Sequence, residues 1–73
     1  MSLNPVSRRV LIRKIKALGY EGPFPGTRHE YMLLGVKKVY LPNPHGNQDI
    51  GVTLLRIIIR QLEITVQEFI DLS

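Results

Sequence analysis

The chain has 73 residues, 44% of them hydrophobic, and no cysteine. That length allows one small domain, near the lower limit at which a single core offsets conformational entropy without covalent staples. The missing thiols exclude disulfides, thiolate metal sites and cysteine nucleophiles.

Ten Lys and Arg against six Asp and Glu leave a net charge of +4. The excess is one-sided: residues 1–40 carry eight basic and two acidic side chains, residues 41–73 two basic and four acidic. Such asymmetry fits a polyanion on one side of the molecule and a different partner on the other. No apolar run approaches the roughly 20 residues needed to cross a bilayer, and the N-terminus lacks a charged-then-apolar leader. The expectation is a cytoplasmic protein without membrane contact, its residues 1–5 flexible.

Ser7 is a helix N-cap, and Leu11, Ile15 and Leu18 recur at i, i+4 and i+7, which predicts a helix over residues 8–18 closed by Gly19. Arg9, Arg13 and Lys16 fall opposite the apolar stripe, with Arg8 and Lys14 flanking them. A solvated helix face is expected for most of these five cations. Residues 20–24 read as a first strand, ended by Pro23, Pro25 and Gly26.

Residues 29–34 and 37–41 read as two further strands joined by Gly35-Val36, and glycine in the first central position suits a type II′ turn. With that two-residue loop, or with a four-residue one, alternation places Met32, Leu34, Val39 and Leu41 on one face, whereas a three-residue loop flips one strand relative to its partner. His29, Tyr31, Leu33, Lys38 and Tyr40 share the other.

Pro42 and Pro44 end the sheet, and Gly46-Asn47-Gln48-Asp49 leads into a second helix from about Ile50 or Gly51 to Leu62. The β-branched run Ile57-Ile58-Ile59 fits a strand by propensity. Spacing favours a helix instead: Val52, Leu55, Ile59 and Leu62, supported by Leu54 and Ile58, make one apolar stripe. Ile57 is left among the polar-face residues Thr53, Arg56 and Arg60. Thr65-Val66-Gln67-Glu68 is a capping box, with Ile64 and Phe69 at the staple positions, so a short helix to about Leu72 follows.

The order is α-β-β-β-α with a short extra C-terminal helix, one α+β domain over residues 1–73. A three-stranded antiparallel sheet is expected, covered by helices on one face and open on the other.

The chemistry narrows quickly, because the chain has only two histidines, His29 and His45. RNA cleavage without metal needs a base for the 2′-hydroxyl proton, positive charge for the phosphorane and an acid for the leaving 5′-oxygen. An imidazole, with a reference pKa of about 6.5, serves either proton-transfer role near neutral pH. Lys38, Tyr31 and Tyr40 on the same face supply a cation and two rings able to grip a backbone and stack bases. Arg28 reaches a phosphate only from a loop conformation.

The bland reading makes His29 a strand-end histidine bonded to the backbone and the tyrosines half-buried packing residues. His45 reads as a loop residue; a metal site of His29, His45 and Asp49 matches no known ligand spacing.

Taken in order, several segments resemble the HicA-type (YcfA-like) mRNA interferase toxins of bacterial toxin-antitoxin systems. They are the first helix ending in Leu18-Gly19-Tyr20, the glycine-containing turn into His29-Glu30-Tyr31-Met32, Leu41-Pro42-Asn43-Pro44-His45, and Ile50-Gly51-Val52-Thr53-Leu54-Leu55 before a short capped helix. The resemblance covers about residues 7–72. It implies a double-stranded-RNA-binding-domain-like fold, metal-independent endoribonuclease activity on mRNA with no cofactor, and neutralisation by a HicB-type antitoxin.

The family's catalytic histidine, usually preceded by glycine and a small hydroxyl residue, carries over to His29. Here Thr27-Arg28 precedes it, so the hydroxyl stands one position early. No role carries over to His45. Candidate RNA contacts are Thr27, Arg28, Tyr31, Lys37, Lys38 and Tyr40. Two other readings stand beside this one: a non-catalytic RNA-binding module, and an inactive toxin homologue acting through protein partners. In the latter, Ile57 on the apolar second helix contacts a partner or, in weak self-association, a second copy.

Overall fold

A computed structural model describes residues 2–43 and 48–73. The elements are α1 (Arg8–Ala17), β1 (Glu21–Phe24), β2 (Tyr31–Leu34), β3 (Lys37–Tyr40), α2 (Val52–Leu62) and α3 (Val66–Asp71). The strands form one antiparallel sheet in the order β1-β2-β3. The expected α+β order with its extra C-terminal helix is the order observed.

Local chemistry sets most of the boundaries. The Ser7 hydroxyl accepts from the Val10 amide at 3.1 Å and starts α1. Gly19, at φ 102°, follows its last turn. In the hairpin Leu34 faces Lys37 and Tyr31 faces Tyr40, so the loop is Gly35-Val36. Only Gly35 of that pair has positive φ, at 60°, as a type II′ turn requires.

α2 ends in a Schellman motif: the Glu63 amide donates to the Arg60 carbonyl (3.1 Å) and the Ile64 amide to the Ile59 carbonyl (3.4 Å). Glu63 occupies the left-handed position there, at φ 60°. The capping box of α3 forms in both directions, Thr65 with Glu68.

The core lies between one face of the sheet and the helices. Met32, Val39 and Leu41 meet Leu11 and Ile15 of α1, Leu55, Ile58, Ile59 and Leu62 of α2, and Phe69 of α3. The opposite face carries Tyr31, Leu33, Lys38 and Tyr40, as alternation requires. A lone antiparallel bridge joins Val6 to Ile50 and ties the segment before α1 to the one before α2.

Several expectations are corrected. Pro23 lies inside β1 rather than ending it, tolerated because β1 is an edge strand with a register irregularity between Glu21 and Phe24. β2 begins at Tyr31, not at residue 29, because Thr27, Arg28 and His29 form a bend. Leu34 keeps its parity but is exposed at the hairpin tip, where the helical cover ends. Leu54 is also exposed, on the first turn of α2.

Near the N-terminus, Leu3 packs against the core, while Met1 lies outside the described residues. Lys14 is buried rather than solvated. Its ammonium donates to the carbonyls of Phe69 (3.1 Å), Ile70 (3.2 Å) and Leu72 (2.7 Å), closing the C-terminal end of α3. Among the described residues no helix is long and apolar enough to cross a membrane.

Candidate functional site

His29 sits in the loop between β1 and β2, exposed to solvent. Three contacts fix the loop around it. Gly26 passes so close to His29 that a Cβ on it would lie 2.2 Å from the His29 carbonyl oxygen. The Glu30 carboxylate pairs with the Arg8 guanidinium of α1. The Glu30 carbonyl accepts from the Leu41 amide at 2.8 Å, extending the β2–β3 pairing past the end of either strand.

That last bond brings the exit of β3 beside the entrance of β2. Two residues beyond Leu41, the Asn43 side chain reaches back across the gap. Its Nδ2 lies 3.1 Å from the Arg28 carbonyl oxygen and 3.0 Å from His29 Nδ1.

The geometry sets the tautomer. A carbonyl only accepts, so the Asn43 atom facing Arg28 is the amide nitrogen, and its two hydrogens serve Arg28 and His29. His29 Nδ1 is then an acceptor and the neutral ring carries its proton on Nε2. In this state the imidazole presents a donor to whatever approaches. Freeing Nε2 as a base requires the Asn43 amide to turn over, putting Oδ1 against Nδ1–H and giving up the Arg28 bond.

Beside His29 the open face of the sheet carries a row of rings. Phe24 and Tyr31 lie 5.7 Å apart between centroids, Tyr31 and Tyr40 6.1 Å. The Lys38 ammonium sits over both tyrosines, 4.5 Å from the Tyr31 centroid and 5.7 Å from that of Tyr40. Pro25, Gly26, Thr27, Arg28 and His29 close one end of this surface into a shallow groove of about 620 Å³, floored by Tyr31, Lys38 and Tyr40. It combines two cations, two phenol rings and one imidazole in an open trough, a surface suited to a phosphate backbone with unpaired bases.

Five of the six candidate RNA contacts, Thr27, Arg28, Tyr31, Lys38 and Tyr40, therefore gather with His29. Lys37 does not. The alternation that sets Lys38 beside Tyr31 sends Lys37 to the other side, where its ammonium pairs with Glu63 at 3.3 Å.

His45 lies outside the described residues. Among the described residues no group of three or more His, Asp or Glu side chains is placed to hold a metal ion. Sequence reasoning missed Asn43 and Phe24. Phe24, the last residue of the strand expected over residues 20–24, pairs with Tyr31, and that pairing could have revealed it.

No protein-family model, curated protein or solved structure matches this chain.

Proposed function

We propose that the chain is a metal-independent endoribonuclease acting on mRNA, a toxin of the HicA type that its sequence resembles, with a double-stranded-RNA-binding-domain-like fold. It works in the cytoplasm and is restrained by a HicB-type antitoxin. The observation that carries this reading is an exposed imidazole, oriented by Asn43, at the rim of a groove holding Arg28 and Lys38.

A strand laid along the groove places its phosphate between these cations and the ring, and its bases over the tyrosines. The 2′-oxygen attacks phosphorus and the bond to the 5′-oxygen breaks, leaving a 2′,3′-cyclic phosphate and a 5′-hydroxyl. One proton leaves the 2′-hydroxyl and one reaches the departing oxygen. With Asn43 as observed, Nε2–H donates toward a phosphoryl oxygen. With the amide turned over, Nε2 accepts the 2′-hydroxyl proton, and the imidazolium so formed gives a proton to the departing 5′-oxygen, which leaves as a hydroxyl and restores the neutral ring.

Arg28 and Lys38 offset the charge that develops on the phosphorane. A single acid-base residue contributes about 10² to 10⁴ in rate, so turnover is slow. The test is incubation of purified protein with labelled RNA in chelator and analysis of product ends. Cyclic phosphate termini support the reading, and intact RNA refutes it.

The Asn43 orientation favours a second reading, a module that binds RNA without cutting it, in which the ring only donates a hydrogen bond to phosphate. Affinity for RNA together with no cleavage distinguishes it.

A further inference from the structure

On the far side of His29 from the basic groove lies a second cleft, of about 430 Å³, between the exit of β3 and one side of α2, from Leu54 to Gln61. Its walls are apolar, with Leu54 and Ile57 exposed in it at 39% and 49%. His29 and Tyr40 line both depressions and form the ridge between them. Asn43, Asp49 and Gln61 add polar side chains to its lining. Gln61 is exposed there.

We propose that this cleft is a nucleobase pocket, taking one unpaired base next to the phosphate held at His29; the proposal rests on the RNA reading above. Two observations favour a base over an apolar protein side chain. The cleft is continuous, through His29 and Tyr40, with a cationic trough suited to the backbone that would carry the base. The exposed Gln61 amide in its lining can meet the polar edge of a base, which an aliphatic side chain would leave unpaired.

The pocket also gives Leu54 and Ile57 a purpose that core packing does not. It places sequence preference at one nucleotide, set by Leu54, Ile57 and Gln61, and leaves affinity for the backbone to Arg28 and Lys38.

The test uses short fluorescein-labelled single strands with 2′-O-methyl riboses, which bind but cannot be cut, each with one position in turn made abasic. Anisotropy titrations compare wild type with the Leu54→Ser/Ile57→Ser double variant, its fold checked by circular dichroism. In wild type, one abasic position should weaken binding on the order of tenfold. The double variant should bind the intact strand as weakly as wild type binds that abasic strand, with no further loss when both changes are combined.

Equal affinity of wild type for every abasic strand overturns the pocket, whether or not the variant folds. So does a double variant that binds all strands as wild type does, the result expected if the cleft serves a protein partner. Failure of wild type to bind any strand is a separate outcome that removes the RNA reading itself.

Discussion

The Asn43 amide nitrogen stands 3.0 Å from His29 Nδ1 and 3.1 Å from the Arg28 carbonyl oxygen, one donor group bridging a backbone acceptor and the ring beside it. Under the proposed function it sets where the His29 proton resides and which way the ring faces, which would make Asn43 a positioning residue. Asn43→Ala should lower cleavage about 10- to 100-fold, the cost typical of a misplaced reacting group, with little change in RNA affinity. Nitrogen NMR shifts of the His29 ring give a readout that mere loss of stability would not move. Wild type should show the proton on Nε2, and Asn43→Asp, which offers only acceptors, should move it to Nδ1 or protonate both nitrogens. An unchanged tautomer in Asn43→Asp would contradict the assignment.

Gly26→Ala tests the loop from its other side. The added Cβ would fall 2.2 Å from the His29 carbonyl oxygen, so the turn must open and carry His29 away from Asn43. Cleavage should fall as far as in Asn43→Ala, while the thermal midpoint shifts little because the loop lies outside the core. Wild-type cleavage by this variant would show that the tight loop is dispensable.

Lys14 joins α1 to the end of α3 through three carbonyls and lies 5.3 Å from the Phe69 ring centroid. Lys14→Met keeps the apolar stem and removes the donors. It should destabilise the domain by about 1.5–3 kcal/mol, the range for hydrogen bonds to a charged group. Urea denaturation checks this, and hydrogen exchange should locate the loss in α3.

Glu63 holds a left-handed conformation that favours glycine, at the cost of ordinary side-chain strain. Its ion pair with Lys37 is exposed and weak in return. Glu63→Gly should therefore stabilise the protein by up to about 1 kcal/mol, read as a higher urea midpoint with an unchanged slope. A drop in midpoint would mean that the Lys37 pair outweighs the backbone strain.

These residues also mark what the sequence could and could not reveal. The Ser7 cap, the Gly35 turn and the Thr65–Glu68 box act within four residues of chain, so their signals are local and were legible. The open and covered faces of the hairpin followed from alternation once the loop length was set. Lys14 was misread because its acceptors are carbonyls 55 to 58 residues away, exposed only when α3 docks. Asn43 was missed for a similar reason. It meets His29 across 14 residues, through a strand pairing that helix and strand periodicity do not encode. Lys37 is next to Lys38 in the sequence, but strand alternation puts the two side chains on opposite faces.

Cleavage of labelled RNA in chelator by wild type and by His29→Ala, side by side and at matched folded fraction, probes the role of the imidazole most directly. Wild type should release fragments ending in 2′,3′-cyclic phosphate, and His29→Ala should bind the same RNA yet leave it intact. Equal cleavage by the two proteins would contradict the assignment of His29 as the catalytic residue.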